Sequence, residues 1–139
     1  MSIQETLKKY KEDFDLFESA NEKLEYIFDL GKRHTVLPED KKNDKTFVKG
    51  CASPAWLSYE CKDGKLILAA EGTSEMAKGM IVLLLDIFNN KNPDEILNFD
   101  PSELQQLGIV ELLSPIRQKS LESFLQKVYM YAKKCKEAR

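Results

Sequence analysis

The tetrad Lys62-Asp63-Gly64-Lys65 constrains this chain more than any other stretch. Asp-Gly supplies the two adjacent residues tolerant of positive φ that a type I′ hairpin turn requires. On one side Trp56-Leu57-Ser58-Tyr59-Glu60-Cys61 alternates faces at period two, and on the other Leu66-Ile67-Leu68-Ala69-Ala70 forms a return strand. Thr46-Phe47-Val48, upstream, has strand character as well. Three short antiparallel strands are therefore expected. A sheet that small needs helices packed on one face to be stable.

The flanking sequence supplies them. Ile3, Leu7, Tyr10, Phe14 and Phe17 recur at alternating spacings of four and three, one face of a helix over 2–18. Ser2 with Glu5 three residues on is a capping-box pattern. A second helix starts near Ser19 to Asn21, with Leu24, Ile27 and Phe28 as its apolar face. Gly31 beside Lys32 and Arg33 is a stop signal, with the glycine expected in a left-handed cap. Residues 34–46 are polar, hold Pro38 and alternate in charge, and are expected to be a solvated loop. After the hairpin, Glu71-Gly72-Thr73-Ser74 turns into a helix from about Glu75 to Asn90, with Thr73 or Ser74 as N-cap. Met76, Gly79, Met80, Leu83, Leu84 and Ile87 form its broad apolar face, which predicts the most buried helix. Gly79 inside it costs about 1 kcal/mol against alanine, so close backbone packing is expected there. Asn92-Pro93 and Asp100-Pro101 each open a short helix, the second ending at Leu107-Gly108. Ser114-Pro115 opens the last helix, which runs to about Lys136 with Leu121, Leu125, Val128 and Cys135 inward. With no repeat and no long linker, residues 1–139 are expected to form a single domain of α+β class.

Composition narrows the functional classes. A net charge of −2 gives no general attraction to nucleic acid or anionic lipid. The longest apolar run, Met80 to Leu85, is far short of a membrane span, and the N-terminal residues lack the regions of a secretory signal. Three cysteines without framework spacing fit free thiols in a cytoplasmic chain.

Few residues are candidates for chemistry. Cys51, Cys61 and Cys135 have no metal-binding spacing, and the sole histidine, His34, sits in the polar loop. His34 is therefore expected to be an exposed loop residue rather than the base of a cysteine protease. No phosphate-binding glycine motif is present. Cys61 lies within a predicted strand and Cys135 on an apolar helix stripe, where cysteine commonly acts as a small hydrophobe. Cys51 differs. Gly50 lets the backbone turn and leaves the thiol uncrowded, Lys49 favours thiolate, and Pro54 stiffens the turn by restricting Ser53. On these residues alone, Cys51 is open between a packed turn cysteine and a reactive thiol.

An ordered set of motifs adds to this. It runs from Leu30-Gly31 through Val48-Lys49-Gly50-Cys51-x-Ser53-x-x-Trp56 and Ala77-Lys78-Gly79-Met80-Ile81. It continues through Asn98-Phe99-Asp100 and Leu107-Gly108 to Leu113-Ser114-Pro115-x-Arg117. In this the chain resembles the SufE family, sulfur-acceptor proteins that work with SufS-type cysteine desulfurases in iron–sulfur cluster assembly. The resemblance implies an α+β fold shared with IscU-type scaffolds, a small three-stranded antiparallel sheet against several helices. It implies that Cys51 accepts persulfide sulfur, and that Arg117 stabilises the thiolate or persulfide. It implies a SufS-type desulfurase as partner, a SufB/SufBCD-type cluster scaffold downstream, and stimulation of the desulfurase. No resident cofactor is expected, since pyridoxal phosphate would belong to the desulfurase, and no independent catalytic activity, metal, nucleic-acid or membrane partner is expected. A homodimer is compatible with the sequence. The chain departs from the family pattern at Ala52 and Pro54-Ala55, where glutamine and Gln-Val are common, and at Glu71-Gly72-Thr73-Ser74. Two alternatives stand beside the acceptor: an IscU-like scaffold holding a cluster, and a regulatory adaptor that docks without accepting sulfur.

Overall fold

The computed structural model describes residues 1–138. In chain order it contains α1 (Ile3–Asp15), α2 (Ala20–Leu30), β1 (Ala55–Lys62), β2 (Lys65–Gly72), α3 (Glu75–Phe88), α4 (Pro93–Leu97) and α5 (Pro115–Glu137). Short 3₁₀ turns lie at Gly31–Arg33, Glu39–Lys41, Pro101–Leu107 and Val110–Leu112. The caps follow the local sequence. Ser2 and Glu5 close a reciprocal capping box on α1, Ser19 caps α2, Ser74 caps α3 and Asn92 caps α4. Asp63 and Gly64 take φ of 53° and 76°, and the hairpin pairs Lys62 with Lys65.

The class is α+β, but the sheet has two strands, not three. Phe47 makes only an isolated bridge to Trp56, with Val48 N–H donating to the Ala55 carbonyl at 2.8 Å. The physical reason lies at both ends of that segment. Asn43 draws the Thr46 and Phe47 N–H groups into a local turn, and Gly50 turns the chain away with φ of +88°. Too few extended residues remain to build a ladder.

Alternation places Leu57 of β1 and Leu66, Leu68 and Ala70 of β2 on the inner face. α3 and α5 pack on that side. α3 is the most buried helix, as its apolar breadth requires, with Leu83, Leu84, Ile87 and Phe88 all nearly inaccessible. α2 crosses α3 in close contact at Gly79, where a Cβ would lie 2.0 Å from the Ile27 carbonyl oxygen. Gly31 is not a left-handed cap. Its φ is −60°, and it continues into the 3₁₀ turn because it too lies against α3, 3.2 Å from the Gly79 nitrogen if a Cβ were added. Phe28 is exposed rather than part of the inner face of α2.

α5 runs along β1. The Tyr131 hydroxyl donates to the Leu57 carbonyl at 2.9 Å, and the Tyr131 ring stacks on Tyr59 at 4.0 Å between centroids. Two residues further along β1 and four further along α5, Cys61 and Cys135 form a disulfide with Cα atoms 5.7 Å apart. The expectation that these two cysteines merely fill space is thereby corrected. The parallel run of α5 beside β1 brings them to the same level.

His34 is corrected too. It is half-buried, and its Nε2 accepts the Gly72 N–H at 3.1 Å. Burial and the nearby Lys78 hold its pKa below the ordinary histidine value. The loop it belongs to is also less solvated than its charge suggests. Buried Glu71 accepts from the Leu37 N–H at 2.8 Å and pairs with Lys42 at 3.3 Å. Among the described residues, no helix is long and apolar enough to cross a membrane.

Candidate functional site

Cys51 is the one cysteine outside the disulfide. It sits on the loop between Val48 and β1, and that loop is held from several sides. The positive φ of Gly50 lets the chain turn onto α5, where an added Cβ would lie 2.8 Å from Ser123 Oγ. The Ala52 N–H donates to Ser120 Oγ of α5 at 2.9 Å. Thr73, which does not cap α3, donates its hydroxyl to the Pro54 carbonyl at 3.1 Å. The loop is thus tied to α5 at one end and to the turn before α3 at the other.

The thiol is half-buried and faces a small pocket between the two helices. Met76, Met80 and Leu84 of α3 and Leu121 and Phe124 of α5 form its apolar walls, with about 70 Å³ free. That leaves room for an added sulfur atom beside the thiol. Burial pushes the Cys51 pKa above the ordinary thiol value, and a hydrogen bond with the Ser120 side chain offsets part of that rise. At rest the sulfur is therefore mostly protonated near neutral pH.

Arg117, in the first turn of α5, lines the same pocket. The pocket lining thus includes two residues 66 positions apart in sequence. The guanidinium is exposed and, among the described residues, has no hydrogen-bond or ion-pair partner. It is not among the groups shifting the Cys51 pKa. Its charge is therefore available to a group that enters the pocket mouth. His34 is absent from the pocket lining and is occupied by Gly72.

Ser120 and Thr73 were not evident as site residues. The usable signal for Ser120 is spacing on the last helix. Ser120 and Ser123 lie three and six residues after Arg117, a small polar stripe that lets a loop approach the helix. No comparable signal marks Thr73, whose bond to Pro54 joins two turns remote in sequence.

A model of the SufE family, described as an Fe-S metabolism associated domain, matches residues 8–132. The chain belongs to the SufE family. Similar SufE-family relatives include an uncharacterized SufE-like protein of Rhizobium meliloti, 27% identical over 128 residues, covering 88% of this chain and 91% of the relative. Another, from Rhizobium etli, is 29% identical over 133 residues, covering 92% and 90%. A third, from Synechocystis, is 25% identical over 116 residues, covering 84% and 73%. The fold is also that of a hypothetical protein from Thermus thermophilus known from its solution structure. The TM-score is 0.77 at 19% identity, over 94% of this chain and 95% of that one. SufE membership ties the chain to Fe–S metabolism. Among the described residues, no three His, Cys, Asp or Glu side chains are grouped to hold a metal ion.

Proposed function

We propose that this SufE-family protein is a sulfur acceptor and carrier, with Cys51 as the accepting residue and a SufS-type cysteine desulfurase as donor. The observation that carries this reading is the single free thiol, on a loop clamped at the mouth of an apolar pocket, with the uncommitted guanidinium of Arg117 in the same wall.

The chemistry is thiol exchange. The Cys51 thiolate attacks the outer sulfur of the donor's persulfide, R–S–SH. A new S–S bond forms at Cys51 as the donor's S–S bond breaks, and the donor leaves as thiolate. Cys51–S–SH results, the persulfide proton travels with the transferred sulfur, and no net oxidation occurs. Arg117 would favour the anionic attacker or the ionised product, since guanidinium stays charged throughout. The apolar walls would keep oxidants and water from the terminal sulfur. Draining the donor persulfide would raise desulfurase turnover, and a SufB/SufBCD-type scaffold would receive the sulfur. Such a carrier needs no cofactor of its own.

The scaffold alternative requires convergent ligands, and two of the three thiols are committed to each other. The adaptor alternative makes a different demand on Cys51, and one experiment separates it. The protein is incubated with a SufS-type desulfurase and cysteine, then read by intact and peptide mass spectrometry. A gain of one sulfur on Cys51, lost in Cys51→Ser and kept in Cys61→Ser, is the expected result. Sulfur mapping elsewhere overturns the assignment, and full desulfurase stimulation by Cys51→Ser would favour the adaptor.

A further inference from the structure

Two partners meet at the Ser120 hydroxyl, beside the Cys51 sulfur. It accepts from the Ala52 N–H at 2.9 Å and donates to the Ile116 carbonyl at 3.1 Å, and it lines the same pocket as the Cys51 sulfur. A hydroxyl has one proton and two lone pairs. The amide takes one lone pair, and the single proton rests on the carbonyl, from which rotation about the C–O bond can turn it toward the sulfur. The Ile116 carbonyl lies inside α5, where the helix ladder supplies a backbone donor of its own. Turning the hydroxyl proton away costs that carbonyl little. A thiol sulfur is a weak acceptor, but a thiolate is charged and attracts the proton strongly.

We propose that Ser120 is a positioning residue for sulfur transfer: it fixes the amide after Cys51 and turns its hydroxyl proton from Ile116 to the sulfur as the thiol ionises. This rests on reading Cys51 as the acceptor. Few other groups can do the same work. The α3 side of the pocket contributes no charged residue, α5 contributes Arg117, and Lys49 lies two residues upstream of the thiol. Among the described residues, no carboxylate lines the site. Of the hydroxyls in the lining, Ser74 caps α3 through the Ala77 N–H, whereas Ser120 is bonded to the amide directly after Cys51 and is the one placed to stabilise the thiolate while the loop is docked.

The test uses the whole protein with the Cys61–Cys135 disulfide intact, so that iodoacetamide reads Cys51 alone. Alkylation rate is followed against pH. The midpoint reports ionisation, and the high-pH plateau reports access. Ser120→Ala keeps a good helix former on α5 and folds. It is expected to raise the midpoint and to slow alkylation about fivefold at neutral pH, the equivalent of one ordinary hydrogen bond. Its plateau is expected to equal or exceed that of the parent, because the Ala52 clamp is gone. Ser120→Thr, which keeps the hydroxyl, is expected to restore the parent midpoint. An unchanged or lowered midpoint in Ser120→Ala, or no restoration by threonine, overturns the proposal. A parallel incubation with desulfurase and cysteine keeps the two readings apart. Failure of the parent to gain sulfur on Cys51 overturns the acceptor reading, whereas the alkylation midpoint decides on Ser120 by itself.

Discussion

Three glycines separate the costs that a single methyl group can carry. At Gly64 an added Cβ meets nothing within 4 Å, so only the positive φ is at stake, about 1 kcal/mol. At Gly50 the same strain is joined by Ser123 Oγ at 2.8 Å. That atom ends a short side chain that can rotate, so the added cost is small. At Gly79 the obstacle is the Ile27 backbone carbonyl at 2.0 Å, and no rotation relieves it. Alanine there gains about 1 kcal/mol of helix propensity but must push α2 off α3. Overpacking of this kind costs about 3 kcal/mol, so the clash wins. Urea unfolding of the three alanine variants is expected to rank Gly79→Ala as far the most damaging and Gly64→Ala as the mildest. Gly50→Ala should lie near Gly64→Ala in stability and differ from it in function, by displacing the Cys51 loop and altering the alkylation rate of the thiol. Equal losses at Gly79 and Gly64 would show that the α2–α3 approach has slack that the distances deny.

At the scale of elements, the turn that carries β2 into α3 depends on two titrating groups. His34 accepts the Gly72 N–H and is held below its ordinary pKa by burial and Lys78. As pH falls, the unfolded chain therefore takes up the proton first. The stability His34 contributes is present above about pH 6.5 and is lost as pH drops through that value toward its folded pKa. Burial pushes Glu71 upward, but the Leu37 N–H and Lys42 outweigh it and leave its pKa below 4.5. Its contribution disappears only in that more acidic window. Melting temperature is expected to fall between about pH 7 and pH 5.5 in the parent and to stay level in His34→Gln, which keeps an acceptor without titrating. An identical fall in both would exclude His34 as the cause. The helices, their N-caps and the Asp63-Gly64 turn were legible in the sequence because each depends on residues within one or two turns of itself. The third strand was not, because Phe47 and Val48 look extended while Asn43 and Gly50 decide how far the ladder extends. Cys51 and Arg117 could be paired through ordered motifs. Ser120, Thr73 and the Cys61–Cys135 link depend on which remote faces meet, and that is a property of the packed molecule.

For the whole molecule, the seam between α5 and the segment from Gly50 to Cys61 links these observations. Ser123 lies at Gly50, Ser120 at Ala52, Tyr131 at Leu57 and Tyr59, and Cys135 at Cys61. From Tyr59 and Tyr131 to Cys61 and Cys135, four residues of α-helix rise about 6 Å and two residues of strand about 6.6 Å, so helix and strand stay in step over that part of the seam. The thiol of interest is at one end and the covalent link at the other. The link closes a segment with a sequence separation of 74. In the chain-entropy account, a loop of that length stabilises the fold by about 4 kcal/mol. For a chain of this size that corresponds to roughly 14 °C in Tm. Reductant is expected to lower the Tm of the parent by that order and to leave Cys61→Ala unmoved, since the variant has no bridge to lose. The Cys51 clamps made by Ser120 and Thr73 are hydrogen bonds at the far end and do not require the bridge. Reduced protein below its lowered melting point is therefore expected to accept sulfur at Cys51 as the oxidised protein does. A Tm indifferent to reductant would mean that the bridge contributes nothing to the seam. Loss of sulfur acceptance on reduction, with the fold intact by circular dichroism, would mean that the two ends of the seam are coupled.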